Sequence, residues 1–299
     1  MSPCDLLVLG DCNPDLVVSG GRIEPVFGQV EQLVDSATLV IGGSGAITAC
    51  GASRLSVRAG LVSLVGDDQL GRFMLEAVAA AGVDVSGCAV DSERPTGITV
   101  VLSRGDDRAI LTAAGTIAAL SAEHVDRERI RHVRHLHISA YFLQTALQPG
   151  LHELLAAARD AGATTSLDPN WDPAERWDSG LAQLLPLIDY LLCNEQEAAA
   201  LGGAEQLAAS GSTVVVKRGP RGAVLLGGGQ TLEAEAPSVE VLDATGAGDS
   251  FDAGFIAGLL AGRGLQKCLR LACVCGALST RAAGGTAGQP TLDAADAQR

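Results

Sequence analysis

The sequence predicts an α/β fold: a mostly parallel central sheet with helices on both faces, plus a small β-sheet lid. Three observations predict it. Short apolar runs alternate with longer amphipathic ones along most of the 299 residues, the pattern of strand–helix units that build a parallel sheet covered on both sides. Two stretches, 15–41 and 95–114, break that alternation with strand-like pieces and no convincing helix. Near the C-terminus, "DATGAGDSFDAGF" (243–255) runs from small residues straight into an apolar helical pattern.

The elements follow in order. "DLLVLG" (5–10) is an apolar run closed by glycine and reads as a strand. "LVSLVG" (61–66) is another, leading into a helix over about 69–81. Residues 95–114 read as strand, turn and strand about 105–107. "VRHLHIS" (133–139) is a strand before the helix of "LHELLAAARDAG" (151–162), and "ATTSLDPN" (163–170) is the next strand. "DYLLC" (189–193) precedes the helical "EQEAAALG" (195–202). "TVVVKRG" (213–219) is a strand, and "GAVLLGGGQTLEAEA" (222–236) reads as a hairpin. Two helices, about 248–262 and 265–280, close the pattern, and the polar tail after Gln289 is expected to fray. No repeat or linker divides the chain, so residues 1–299 read as a single domain, the lid being formed by inserted segments about 15–41 and 95–114.

Composition narrows the function. A net charge of −14 argues against nucleic acid as a partner. No apolar run approaches the length of a membrane span, and the first residues read as a strand rather than a signal peptide. The eight cysteines are dispersed without a C-x-x-C pair, which fits free thiols and a cytoplasmic location. With aromatics at 3%, Ala, Val and Leu must fill the core.

Residues 243–249 carry the chemistry. Gly246 and Gly248 lack Cβ, so the chain can turn tightly and a ligand can approach the N–H groups of Gly246, Ala247 and Gly248. The helix that follows adds its positive end, which favours an anion. Asp249 is then either a helix N-cap or a base aimed at a substrate hydroxyl, with its pKa lowered if it moves at all. A side chain at Gly248 is expected to crowd the anion site. No Gly-Lys-Ser/Thr sequence is present, and a lone Gly-x-Gly this late in the chain does not make a dinucleotide site.

Other candidates carry plain readings beside functional ones. "NEQE" (194–197) is a capping box in its own right. Asp15 can cap a turn, Gly42–Gly43 can be a strand-to-helix turn, and Lys217, one of two lysines, can be a strand-end charge. His135 and His137 would share a strand face with His132 nearby, but no third ligand accompanies them, so a metal is not expected. Asp168 and Asn170 lie at the C-terminal end of a strand, where open α/β sheets bind ligands. Tyr141 and Gln144 follow another strand end, with core packing as the alternative to substrate contact.

Taken together these motifs resemble the PfkB/ribokinase-like carbohydrate kinases. "DATGAGDSF" is similar to their Asp-x-x-Gly-Ala-Gly-Asp signature, and "GGSGAITACGASRL" (42–55) to their N-terminal Gly-Gly signature. "GDCNPD" (10–15), "VGDDQLGRFMLEAVAAAGVDV" (65–85), "NEQE", "KRGPRG" (217–222) and "GGTAGQPT" (284–291) match further family stretches in order. The resemblance spans residues 5–291 and implies a ribokinase-like fold.

It also implies roles. Asp249 would be the base, with Gly246, Ala247 and Gly248 as the anion hole for the γ-phosphoryl. Asn194 and Glu197 would organise Mg2+ through water, and Lys217 and Gly219 would line the nucleotide pocket. Asn13, Asp15, Gly42 and Gly43 would hold sugar hydroxyls. Asp243 and Thr245, with the backbone of 282–285, would carry a monovalent cation such as K+. The implied reaction is transfer from Mg-ATP to a primary hydroxyl of a small unphosphorylated sugar-like acceptor. A nucleoside kinase and a non-catalytic nucleotide- or sugar-binding sensor are the alternatives. The lid would also offer a homodimer interface, since exposed edge strands invite pairing.

The chain departs from the family in three places. Ile47 stands where an Asn that helps bind sugar is usual. Ser44 replaces a frequent Lys, which favours an unphosphorylated acceptor, with Arg108 in the lid as the counter-indication. Asp172 occupies the Arg position of the Asp-x-Asn-x-Arg run found in sugar-acid kinases. The lid offers Phe27 and little else to stack on a nucleobase.

Overall fold

The computed structural model describes residues 4–21, 23–104, 107–178 and 180–298. Strands β1 (Leu6–Leu9), β2 (Pro14–Ser19) and β3 (Ser36–Ile41) lead into helix α1 (Ser44–Arg54). β4 (Ala59–Val62) and β5 (Leu64–Gly66) precede α2 (Gln69–Ala80). Then come β6 (Ala89–Asp91), β7 (Ile98–Arg104), β8 (Asp107–Ala113), α3 (Arg127–Arg131), β9 (His135–Ile138), α4 (Leu151–Asp160) and β10 (Thr164–Leu167). After α5 (Leu181–Leu184) follow β11 (Tyr190–Asn194), α6 (Glu195–Ala200), α7 (Ala204–Ala209), β12 (Thr213–Lys217), β13 (Ala223–Gly227) and β14 (Gln230–Ala234). The chain closes with α8 (Ala247–Leu260), α9 (Leu265–Ser279) and α10 (Leu292–Asp296).

The large sheet has the order β14-β13-β12-β11-β10-β9-β1-β4. It is parallel from β4 to β12, and the β13–β14 hairpin is antiparallel. Both faces are buried, as a parallel sheet requires. Leu7, Leu9, Leu136 and Ile138 pack on Leu151, Leu154 and Leu155 of α4. From the other face Leu6 and Val8 pack on Ala46 and Ala49 of α1 and on Ala253 and Ile256 of α8. Each fully buried Leu or Ile contributes about 1.5–3 kcal/mol. Helix α2 starts where the Asp68 side chain accepts from the Gly71 N–H at 2.8 Å, and it buries Gly71, Met74 and Val78 on one stripe.

The two segments outside the alternation form a separate four-stranded sheet, β3-β2-β7-β8. The expected turn at residues 105–107 falls largely outside the described residues, but β7 and β8 pair antiparallel in register up to Arg104 and Asp107.

Three details differ from expectation. Residues 61–66 are not one strand: β4 pairs with β1, whereas β5, beyond Ser63, pairs with β6. Both halves are apolar, so hydropathy cannot show the change of partner. Helices α3, α5, α7 and α10 fall where the sequence reading places no helix. The tail after Gln289 is held rather than frayed: Thr291 caps α10, Ala295 is buried, and Arg263 grips Asp296 with two bonds of 2.8 and 3.1 Å.

Candidate active site

The C-terminal edge of the parallel strands collects the polar side chains. Asp11 follows β1, Asp168 follows β10, Asn194 ends β11 and Lys217 ends β12. The N-terminus of α8 lies over this edge. Gly246 precedes the helix in the left-handed region, at φ 70, and no side chain caps the helix. A Cβ there would lie 2.7 Å from Gly285 Cα, so the turn demands glycine on two counts. Among the described residues, the N–H groups of Gly246, Gly248 and Asp249 meet no acceptor, whereas Ala247 N–H turns back to Ala244 O at 3.3 Å. The free donors therefore include Asp249 and omit Ala247, one residue along from the expected set.

Asp249 is the third residue of α8 and does not cap it. Its side chain is buried, and burial pushes the carboxyl up to about 7. Asp168 and Asp11 raise it further, while Lys217 opposes the rise. The expected lowering is thus reversed, because desolvation outweighs the helix end.

Lys217 does not line an open pocket. Its ammonium passes beneath Gly248 and lies 2.6 Å from Asp168 Oδ2 and 2.8 Å from Asp252. Burial alone would lower the Lys217 pKa, but Asp168 and Asp252 outweigh it and push it up. Burial also works against the charge on Asp168, yet Lys217 holds that carboxyl below its ordinary value. Asp252 is driven well above its ordinary value by burial, with Lys217 acting against the rise. Oxygens of Asp168, Asp249 and Asp252 lie within 4.8 Å of one another, and the chain places its own cation against two of them. A Cβ on Gly248 would lie 3.5 Å from Lys217 Nζ. Gly219 is exposed at φ 57, with open space around the position of its missing Cβ.

The capping box read from "NEQE" forms: Asn194 Oδ1 accepts from Glu197 N–H at 2.9 Å, and Glu197 Oε2 accepts from Asn194 N–H at 2.8 Å. Burial, and then Asp168, push Glu197 up to about 7. Asp243 staples two loops, since its oxygens accept from Thr245 N–H at 2.9 Å and from Gly284 N–H at 2.8 Å. From β8, Arg108 Nη1 reaches Thr245 Oγ1 at 3.4 Å.

Opposite Lys217 lie the candidate sugar ligands. Asn13 is buried; its Nδ2 donates to Thr99 Oγ1 at 3.2 Å, and its Oδ1 meets no partner among the described residues. Burial and Asp11 push Asp15 up to about 7, with Arg108 acting against the rise. Its carboxylate rests on Gly42, where a Cβ would fall 2.0 Å from Oδ1. Gly43, at φ 77, precedes α1. Asp11, which sequence reasoning missed, accepts from Gly45 N–H at 2.9 Å and fixes that helix start. Its signal was an acidic residue directly after the first strand, facing a glycine-rich helix start.

Several expectations move. Ile47 faces the backbone, with its side chain against the sites of Gly246 and Gly285. It props the anion loop, so the missing Asn is not simply a lost sugar contact. Gln144 is spent on Asp11 N–H and Ile117 O, both at 3.1 Å, and Tyr141 packs edge-on to Phe142 in the core. Asp172 accepts from the N–H groups of Ala174, Arg176 and Trp177, so it fixes its own turn. His135 and His137 are buried and bridged by Ser166 Oγ at 2.7 and 2.8 Å. Burial lowers them to about 3 and about 4, so both are neutral.

Comparison with known proteins places this arrangement. Residues 4–292 match the family described as pfkB family carbohydrate kinase. The ATP-dependent ribose-1-phosphate kinase of Halopiger xanaduensis is 32% identical across 97% of this chain and 96% of its own length. The ribokinase of Haemophilus influenzae is 28% identical across 96% and 95%. An Escherichia coli protein described provisionally as ribokinase II, solved with ATP and Mg2+, superposes with a TM-score of 0.86 at 27% identity, covering 98% of each chain. The ribokinase-like architecture is shared with that structure.

Proposed function

Given that the chain belongs to the pfkB family of carbohydrate kinases, and so is a phosphotransferase acting on an alcohol group, we propose that it transfers the γ-phosphoryl of Mg-ATP to a primary hydroxyl of a small unphosphorylated sugar, with Asp249 as base. The observation that carries this reading is a buried carboxyl raised to about 7 beside helix N–H groups that meet no acceptor among the described residues. Such a carboxyl is ionised in a useful fraction at neutral pH, yet basic enough to take a hydroxyl proton as the transition state forms. The N–H groups of Gly246, Gly248 and Asp249 can hold phosphoryl oxygens without reorganising.

Asn13 Oδ1 and Asp15 offer acceptors to sugar hydroxyls, which orients the attacking oxygen. Glu197 uses Oε2 in its capping box, leaving Oε1 for a hydrated cation near Asn194. Mg2+, when bound, would neutralise triphosphate charge. The small sheet β3-β2-β7-β8 acts as a lid that keeps water from the phosphoryl group. Its exposed Leu39, Ile110 and Leu111 suit a homodimer through that sheet, which sedimentation of wild type against Ile110→Lys would test. Asp243, Thr245 and residues 282–285 form the candidate place for K+, which a rate comparison in K+ and tetramethylammonium salts would test.

One observation favours a second reading of the acceptor. Arg108 stands at the anion loop, and a relative at 32% identity is named for a sugar phosphate. Coupled ADP release with Mg-ATP on ribose, fructose, sugar acids, nucleosides and ribose 1-phosphate separates the two. Turnover on a free sugar, lost in Asp249→Asn and kept in Arg108→Ala, supports the first reading. Turnover confined to the phosphate and lost in Arg108→Ala replaces it. Neither the nucleoside kinase nor the sensor is favoured, because the relatives named above are sugar kinases and the glycine loop and Asp249 are intact.

A further inference from the structure

The small sheet carries two threonines that the reaction as described does not use. Register pairs Asp15 of β2 with Thr99 of β7, and Thr99 with Thr112 of β8. Residues paired across neighbouring strands stand on one face of a sheet, so both threonines share the face of Asp15. Their hydroxyls meet at 3.2 Å. Thr99 Oγ1 also accepts from Asn13 Nδ2 at 3.2 Å, and the same nitrogen donates to the carbonyl of Pro14 at 3.4 Å. A backbone carbonyl can only accept, which fixes this end of the amide as nitrogen. Asn13 Oδ1 therefore points the other way, to the Gly42–Gly43 turn, where a Cβ on Gly43 would lie 3.0 Å from it. A Cβ on Gly42 would lie 2.0 Å from Asp15 Oδ1. Two oxygens thus stand over two successive glycines. Asn13 is 1% exposed, and its Oδ1 meets no donor among the described residues. Burying such an acceptor is costly unless a donor comes to it.

We propose that Thr99 is a positioning residue that sets which hydrogen-bonding group the sugar must bring: by taking the amide N–H of Asn13 it turns Oδ1 to the seat, so the substrate has to offer a hydroxyl proton there. The proposal rests on the reading of Asn13 as part of the sugar seat. An asparagine amide carries a donor and an acceptor on one planar group. Rotation about its last bond exchanges them readily when neither end is held. Here the nitrogen end is held twice. The Pro14 contact is long and comes from the adjoining residue, so Thr99 supplies the better bond. Thr112 stands behind it on the edge strand of the small sheet. Rotation about χ1 would exchange the Thr99 hydroxyl with its methyl, and the bond to Thr112 holds the hydroxyl toward Asn13. A seat built this way takes a hydroxyl. It turns away a ketone, a carboxylate or a C–F group at the same position, because each of these can only accept.

The test has one arm with sugar and one without. Ribose and fructose are compared with their monodeoxy and monodeoxyfluoro analogues by coupled ADP release with Mg-ATP. Asn13→Ala should abolish the penalty for losing one particular hydroxyl, about 10-fold in kcat/KM in the wild type, and so identify the position that Asn13 reads. There a fluorine faces Oδ1 and is repelled, so the fluoro analogue should be about 3-fold worse than the deoxy one. Thr99→Val frees the amide to bring its N–H round and should reverse that order, and Thr99→Ser should restore it. Valine keeps the shape of threonine and suits a strand. A general loosening of the small sheet would weaken parent and analogues alike and leave the order unchanged. Without sugar, the side-chain amide protons of Asn13, assigned by their loss in Asn13→Ala, should exchange with solvent about 10-fold faster or more in Thr99→Val. Unchanged exchange, or an unchanged order of the analogues, overturns the proposal. An Asn13→Ala variant in which no penalty changes instead removes the seat reading beneath it, a result that does not depend on Thr99.

Discussion

Two groups of buried carboxylates flank the start of α8, and they are built in opposite ways. On one side Asp168 and Asp252 close around Lys217, with every contact under 3 Å. On the other, Asp15 lies against Gly42, and the neighbouring Asn13 Oδ1 meets no partner among the described residues. Both sides are desolvated, so the difference lies in compensation. A buried charge with its counterion inside the chain belongs to the framework. A buried polar atom without a partner is costly unless something arrives to meet it. The first group fixes where α8 sits, and the second offers acceptors to the sugar proposed above. Asp249 lies between them, raised first by burial and then by Asp168 and Asp11.

That contrast can be broken at several points. The largest effect is expected at the junction: Asp249→Asn should lower kcat at least ~100-fold. It should also stabilise the protein. The folded carboxyl titrates near 7 against an ordinary 3.8, so the folded state binds the proton more tightly than the unfolded chain. Stability is therefore full below the unfolded value and falls as pH rises towards 7. Calorimetry should show Asn raising Tm by about 3 °C at pH 8 and leaving it near wild type at pH 4. The wild-type kcat/KM should fall about tenfold per unit below pH 7.

Next in size is Lys217→Met, which strands a buried carboxylate and should cost about 3–5 kcal/mol in urea unfolding. Asp252→Asn, by contrast, replaces the carboxyl whose charge burial opposes and should cost less. If the two cost the same, the framework side is misread. Asp15→Ala should raise KM for the sugar about 10-fold or more without lowering the urea midpoint. A large loss of stability would move Asp15 into the framework. The smallest effect belongs to Gly248→Ala, whose added methyl faces Lys217 at an ordinary 3.5 Å. Turnover should stay within about 3-fold of wild type, since no neighbour has to move to admit the methyl.

Much of this was legible in the chain. Strand–helix alternation gave the large sheet, the two stretches that broke it gave the small one, and the "NEQE" capping box formed as its spacing implied. What stayed hidden depends on three-dimensional context. The direction of the Asp249 shift turns on burial, which sequence does not display. Lys217 reads as a strand-end charge until Asp168 and Asp252, 49 and 35 residues away, are seen to meet it. Ile47 looks like a missing hydrogen bond until Gly285, more than 200 positions on, is found against it. Asn170 and Ser44 are 126 residues apart and carry no local signal of their contact.

The path of the chain between the two sheets has a last consequence. Only residues 10–13 separate β1 of the large sheet from β2 of the small one, and only Gly42 and Gly43 separate β3 from α1. Those two connectors hold Asp11, Asn13 and both glycines, and Asp15 lies on the second residue of β2. The joint between the sheets and the proposed seat for the sugar are therefore the same pieces of backbone. No relay is needed between them: a rotation of one sheet on the other reshapes the seat, and a molecule filling the seat stiffens the joint.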